Sequence, residues 1–414
     1  MEFVDQYKKS TQLKITCDIR KNFKINKLLV GSGGSNNIIL DLTDRHMDKY
    51  IIKIIPRVLH VNKKVMPNAD QLEIKFYQFF TRKYLLTDRT PHIVGIYAHI
   101  NCKNNIDKLL KNIKMKKPCL DMSAKLIHKQ NKQDKQDRIN DIICDLLLRF
   151  ELKMIDPDYD LVLVEYCPDD LGNMMQRYMM KIKNKNNGEI IDEFVAELSR
   201  ILFQLIFTIA IIKDDYKGFM HNDFFIRNIL ISREKKYTKS DYVAYHYNNK
   251  IFYLKANGSY AKMNDFGMTV LVGELEPATF KLEENIRKYH NQNPYNEKTD
   301  IYNLLHDLYN GEDLGARSLM TLMTDYRIPM MKMSKIIKFI KKIIDIKTMD
   351  KIWGINKGLL DRTWSIDKVT VLENTVKTPN EYLMGNIFAR YHKLPIDGTV
   401  VRSFNASHKY NNSH

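Results

Sequence analysis

The sequence predicts an α+β protein in two parts: a β-rich N-terminal part of about 160 residues, then a helix-rich remainder. Three observations predict it. Short β-branched runs broken by turn residues fill the stretch from Phe23 to Ile55, as antiparallel strands require. The longest apolar run, Ile201–Ile212, has the length of a buried core helix and is too short to span a bilayer. The 414 residues are 44% hydrophobic and 28% charged, which rules out wholesale disorder and supplies one large or two medium domains. A cleft between two such parts is the default ligand site.

In order along the chain, residues 1–23 are polar, without a clear period, and read as an extension. Strand-like segments follow at Ile25–Val30, Ile38–Leu42 and Tyr50–Ile55, with a Gly/Ser/Asn cluster after the first. Residues 69–86 read as a helix and Ile93–Tyr97 as a strand. Residues 103–138 hold eleven Lys/Arg against four Asp/Glu, a net +7, and many Asn and Gln, the composition of a solvated segment within a basic insert at about 103–152. Helical spacing returns at 139–152, Leu161–Val164 is a strand, and the chain is then predominantly helical to about Lys393. The expected division is an N-terminal lobe at 24–164, a C-terminal lobe at 165–394 with a hairpin insert at about 233–260, and a polar, frayed tail at 395–414.

The net charge of +17 points to an anionic partner without naming one. No zinc-finger spacing, aromatic RNA-binding signature or helix-turn-helix accompanies it, so specific nucleic-acid binding is not expected. The basic amphipathic stretch 331–346 reads as a core-packing helix with a solvated face. Five scattered cysteines without a C-x-x-C pair argue against a disulfide framework and make a reducing compartment the default. The N-terminus lacks the layout of a signal peptide, and the expectation is a soluble intracellular protein.

Four segments carry chemistry. Gly31-Ser32-Gly33-Gly34-Ser35-Asn36 lies between two strands, where glycines let backbone N–H groups approach phosphate oxygens; alone it reads more readily as a plain hairpin turn. Lys53 sits inside the apolar strand Tyr50–Ile55 and needs a partner, and Glu73, 20 residues on in a helix, is the obvious one. His221-Asn222-Asp223-Phe224-Phe225-Ile226-Arg227-Asn228 follows the apolar helix. Its Asp could accept a hydroxyl proton and its Asn could offer an oxygen to a hard metal. Asn264-Asp265-Phe266-Gly267 adds a second carboxylate after a short strand. Singly, each Asp reads equally well as a cap or turn residue.

Glycine-rich loop, strand lysine, helix glutamate, H-x-D-x-x-x-x-N and D-F-G stand in fixed order, and in this the chain resembles the eukaryotic-type protein kinase superfamily. The resemblance runs from about Phe23 to about Lys393. It implies a bilobal kinase-like fold with ATP and Mg2+ in the cleft. Gly31, Ser32, Gly33, Gly34 and Ser35 would cover the phosphates, and Lys53, fixed by Glu73, would bind them. Ile38, Val164, Glu165 and Cys167 would surround adenine, with Val164 as gatekeeper. Asn228 and Asp265 would hold Mg2+, Asp223 would be the catalytic base, and Arg227 would supply charge near the γ-phosphate. Asp300 looks like the buried helix aspartate that braces the catalytic loop.

The departures from the family pattern are Asn36 for the third loop glycine, Asn222 for the arginine of H-R-D, Phe225 where Ser/Thr kinases carry lysine, and no A-P-E before Asp300. Asn228 and Asp265 are 37 residues apart, a long link that reads as an added hairpin around Asn248-Asn249. With the Lys/Asn-rich composition, this is similar to divergent serine/threonine kinases of large DNA viruses, which would place the protein in host cytoplasm or virion. The expected function is transfer of the ATP γ-phosphate to a hydroxyl of a protein substrate, Ser/Thr before Tyr, with an acidic substrate or docking partner. The alternatives are a small-molecule kinase of the choline or aminoglycoside type, since His221-Asn222-Asp223 resembles its H-N-D, and a catalytically weak pseudokinase scaffold.

Overall fold

The structure, a computed structural model, describes residues 3–10, 15–30, 38–58, 69–103, 144, 149, 151–184, 188–233, 237–271, 274–275, 297–310, 317–343 and 376–407. The glycine-rich segment 31–36 and nearly all of the basic insert therefore lie outside the described residues. The chain divides into two compact units. One comprises Phe3–Ile74 and Gly95–Tyr166; the other is chiefly Lys75–Val94 and Cys167–His414.

The first unit is built on a five-stranded antiparallel sheet in the order β1-β2-β3-β5-β4, with β1 Phe23–Val30, β2 Ile38–Asp44, β3 Lys49–Val58, β4 Ile96–Cys102 and β5 Ile155–Glu165. Alternation explains the first three strands. Tyr50, Ile52 and Ile54 point one way from β3 and are fully buried, while Lys53 takes the opposite face. The expected strand at Ile93–Tyr97 is displaced. Pairing with β5 begins at Ile96, and Ile93 makes only an isolated parallel bridge to Met263. A short helix, α1 (Phe3–Ser10), occupies part of the expected N-terminal extension, and Phe3 is buried.

Cys17 and Cys102 are joined by a disulfide, with Cα atoms 5.7 Å apart, and Cys144 is also disulfide-bonded. This corrects the expectation of reduced cysteines. The pattern reading looks for clustered spacings, whereas these two cysteines are 85 residues apart and meet only because β4 folds back beside the N-terminal segment. Cys167 is not in a disulfide.

Helix α2 (Ala69–Phe80) continues as a π-helical turn, Thr81–Leu85, and the division between the units falls within it. The second unit contains α3 (Leu171–Asn184) and α4 (Gly188–Asp215); in α4 every residue from Ile201 to Lys213 is buried. At 28 residues α4 outruns the apolar run that predicted it. By length and composition it could cross a membrane, yet 83% of its most apolar window is buried within the protein. That places it as a core helix.

Strands β8 (Ile229–Arg233) and β11 (Ser259–Met263) pair beside the two-residue β6 (Asp169–Asp170). The hairpin expected between them is present as β9 (Asp241–Tyr247) and β10 (Lys250–Lys255), closed by a two-residue turn in which Asn248 has φ 50°. It is no surface ornament: Tyr245, Tyr247, Phe252 and Leu254 are buried. The hydroxyl of Tyr245 donates to Nε2 of His92 at 2.9 Å, and Nδ1 of His92 donates to the Ala261 carbonyl at 2.9 Å. Burial holds the imidazole well below its ordinary pKa, so the tautomer is fixed and neutral.

The tail is not frayed at 395–405. Thr399–Asn405 forms β13, parallel to β9, with Phe404 buried against Tyr245. A polar sequence sufficed because only one face of this edge strand meets the core. The basic stretch forms a helix, Ser334–Ile343, which buries Ile336, Ile340 and Ile343 and leaves its lysines outward.

Candidate active site

The site residues expected from the sequence fall into two groups, one in each unit. In the first, Lys53 Nζ donates to Glu73 Oε1 at 2.6 Å. Lys53 stands on β3 between Ile39 of β2 and Val162 of β5, where no backbone freedom lets it leave the sheet. Both residues are buried, at 8% and 2% exposure, so the ion pair stabilises two charges held away from water. Ile38, the first residue of β2, and Val164, near the end of β5, are both 2% exposed. Glu165, which ends β5, is partly exposed.

The second group surrounds the loop between β7 (Phe219–Met220), which pairs with β12 (Val270–Leu271), and β8. Asp223 is its centre. Arg227 Nη2 donates to Oδ1 of Asp223 at 2.6 Å, and Asn228 Nδ2 donates to Oδ2 at 2.6 Å and to the Asp223 carbonyl at 2.8 Å. The Arg227 guanidinium lies 4.6 Å over the Phe225 ring, which restricts its swing. Burial pushes the Asp223 carboxyl above its ordinary pKa, the Arg227 charge opposes that, and Asp265 adds to it.

Two carboxylates of helix α5 (Thr299–Asn310) hold the loop from below. The fully buried Asp300 accepts the backbone N–H groups of His221, at 3.0 and 3.1 Å, and of Asn222, at 3.1 Å. Asp307 Oδ2 accepts the N–H of Ile226 at 2.7 Å. Asp300 was anticipated; Asp307 was not. Its signal was available, since two aspartates seven residues apart in an apolar helix face the same side. Asp300→Ala removes the acceptor of the buried His221 N–H and the part-buried Asn222 N–H, and Asp307→Ala that of the buried Ile226 N–H, at about 1–3 kcal/mol for a buried group left unsatisfied. Thermal unfolding should therefore show both variants to be less stable than wild type.

Asn264 ties this loop to the D-F-G segment. Its N–H donates to the Asn228 carbonyl at 3.0 Å, its carbonyl accepts from Nε2 of His221 at 3.2 Å, and its side-chain oxygen accepts the Tyr77 hydroxyl. A carbonyl cannot donate, so Nε2 of His221 carries a proton; Nδ1 is buried without a hydrogen-bond partner among the described residues. Phe266 is fully buried among Phe76, Tyr77, Phe80 and His221. Asn222 and Asp265 both adopt left-handed backbone, φ 61° and 66°, which Asn and Asp tolerate better than most residues. Asn222 Nδ2 donates to the Met268 carbonyl at 3.0 Å, so the residue standing for the family's arginine anchors the start of the following segment without charge.

Among the described residues no cluster of three or more His, Cys, Asp or Glu side chains could hold a metal. What the loop offers is smaller. Both hydrogen bonds from the Asn228 side chain use its nitrogen, leaving its oxygen available, and the Asp265 carboxylate has no hydrogen bond or ion pair among the described residues. Two such oxygens are of the hard kind that Mg2+ prefers, an ion that takes few protein ligands and completes its shell with phosphate and water.

A buried aspartate fixed by an Arg and an Asn on a loop braced by a helix carboxylate, with a buried Lys–Glu pair elsewhere in the chain, matches the apparatus of a protein kinase. The comparisons agree with this class. The chain is 45% identical over 410 residues to "Putative serine/threonine-protein kinase R301" of Acanthamoeba polyphaga mimivirus, covering 98% of this chain and 99% of that one. No family model matches. The chain belongs to the protein kinase superfamily as a divergent member, similar to kinases of large DNA viruses.

Proposed function

We propose that the protein is a bilobal serine/threonine-directed protein kinase that transfers the ATP γ-phosphate to a protein hydroxyl. The observation that carries this reading is the geometry around Asp223, each of whose oxygens accepts one hydrogen bond and retains lone pairs for a third partner. The acceptor hydroxyl would donate to Asp223, which takes its proton as the oxygen attacks phosphorus; the raised pKa makes Asp223 a stronger base than an exposed aspartate. Arg227, held between Asp223 and Phe225, places a positive charge beside that proton transfer. Lys53, held by Glu73, would bind the nucleotide phosphates, and Ile38, Val164, Glu165 and Cys167 would bind adenine. Asn228 and Asp265 would hold Mg2+, which when bound neutralises charge on the phosphates. The serine/threonine preference follows the name of the mimivirus relative. The +17 net charge favours an acidic substrate or docking partner, and an intracellular or virion location fits a relative of viral origin.

The test is labelled ATP with a mixed-peptide library and, separately, choline, using protein pretreated with phosphatase. Expected are phosphoserine and phosphothreonine in the peptides and full activity after phosphatase, because Asn222 anchors Met268 by a neutral hydrogen bond instead of an arginine awaiting a phosphate. Label in choline alone would establish the small-molecule reading. Mg2+-dependent ATP binding without turnover would establish the scaffold, and total loss after phosphatase would refute phosphorylation-independent anchoring.

A further inference from the structure

Glu165, at the end of β5, is held through Gly95. The Glu165 N–H donates to the Gly95 carbonyl at 2.9 Å, and the Gly95 N–H donates to Glu165 Oε2 at 3.4 Å. Gly95 in turn lies under the ring of Phe3. A Cβ built on Gly95 would stand 1.9 Å from Cε2 and 2.2 Å from Cζ of that ring, and its three nearest atoms all belong to Phe3. The absence of a side chain at position 95 is therefore what admits the ring to the backbone.

The ring is well fixed. Phe3 stacks on Tyr97 with centroids 5.0 Å apart, and Tyr97 meets Tyr50 edge-on at 5.5 Å. The Tyr97 hydroxyl donates to Gln6 Oε1 at 2.6 Å, and Gln6 Nε2 donates to the Lys49 carbonyl at 3.1 Å. An eight-residue helix does not persist alone in water, so α1 owes its place to these contacts. The same N-terminal segment is tied again where β4 ends, through Cys17–Cys102. β4 is the edge strand of its sheet, and the segment thus grips it at both ends, at Gly95 before its first residue and at Cys102, its last.

We propose that Phe3 is a positioning residue that acts through Gly95 to fix Glu165. This rests on the reading above for its consequence: with Glu165 beside adenine, Phe3 sets nucleotide affinity without touching nucleotide. The packing makes an unusual demand on the two positions. Phe3→Ala empties the space over Gly95, and Gly95→Ala expels the ring from it. With both substitutions the new methyl occupies space the ring has left. Gly95 has no left-handed backbone to strain, so the added methyl acts only through that space.

The experiment compares wild type, Phe3→Ala, Phe3→Leu, Gly95→Ala and the Phe3→Ala/Gly95→Ala double variant in two measurements, steady-state kinetics for ATP and amide hydrogen exchange at Glu165. Each of the alanine single variants is expected to raise KM for ATP about 3- to 30-fold with kcat within about twofold, the scale of coupling through a packed neighbour. Exchange at Glu165 should be faster in both, and the double variant and Phe3→Leu should return towards wild type. Equal KM and exchange in all five proteins would overturn the proposal, as would a double variant worse than either single one. If wild type neither binds nor turns over ATP, the kinase reading fails and exchange alone decides. Faster exchange in the singles with recovery in the double then upholds Phe3 as the residue that fixes Glu165, and unchanged exchange refutes it.

Discussion

Asp223→Asn is expected to lower phosphoryl transfer by about 10²–10⁴-fold while nucleotide binding persists, because the substitution removes the proposed proton acceptor and keeps the shape. The same change should not weaken the fold. The Asp223 carboxyl is raised above its ordinary 3.8, chiefly by burial, so its charged form is disfavoured in the native state relative to the unfolded chain. The sign follows: native stability falls as pH rises from the unfolded value through the raised native one, and the deficit remains at neutral pH. The asparagine variant escapes that deficit. Its melting temperature at pH 7 should equal or exceed that of wild type, with the difference vanishing below the unfolded pKa. Arg227, with a side chain 27% exposed, can turn to water when its partner is lost. In wild type, transfer should fall on acidification at a higher pH than an ordinary aspartate would impose. A variant with wild-type transfer, or one that melts well below wild type, would remove Asp223 from the centre of the site.

Lys53→Met carries the second large effect, and here stability and activity fall together. It removes the Lys53 ammonium from Glu73, which is 2% exposed and cannot reach water without unpacking β3 or α2. Breaking a buried pair from one side costs about 3–5 kcal/mol, most of it the penalty of the stranded charge. Replacing both partners, as Lys53→Met/Glu73→Leu, should recover most of that loss, since two apolar groups need no solvation. Denaturant titration of the four proteins separates the cases. A strongly destabilised single variant with a near-normal double identifies a mutually dependent pair, and additive losses would contradict it. Transfer should be low in both, because the stable double variant still lacks the ammonium proposed to bind phosphate.

Much of this was legible in the chain because it is encoded locally. The β-branched apolar run around Lys53 defines a strand and puts a charge where it needs a partner. The Asn248-Asn249 turn predicts a hairpin by its backbone preference. The spacing of Asp223, Arg227 and Asn228 brings three polar groups to one short loop, where they are found hydrogen-bonded. Asp307 was overlooked although its spacing from Asp300 was visible, because a lone aspartate in a helix has many uses and only the Ile226 N–H selects one.

What escaped the sequence has a common character. The Cys17–Cys102 bond joins residues 85 apart, β13 pairs with a hairpin some 150 residues earlier, and Phe3 lies on Gly95 across more than 90 positions. None of these residues carries a periodic or turn signal that depends on its partner. The order of elements, the strand that carries Lys53 and the content of the Asp223 loop follow from the chain alone, since each rests on propensity or spacing over a few residues, whereas the Lys53–Glu73 pair, 20 residues apart, was a candidate until the fold joined it. Which cysteines meet, which edge the polar tail covers, and which side chain occupies the space above a glycine were decided by the folded topology, which brings distant segments within contact range.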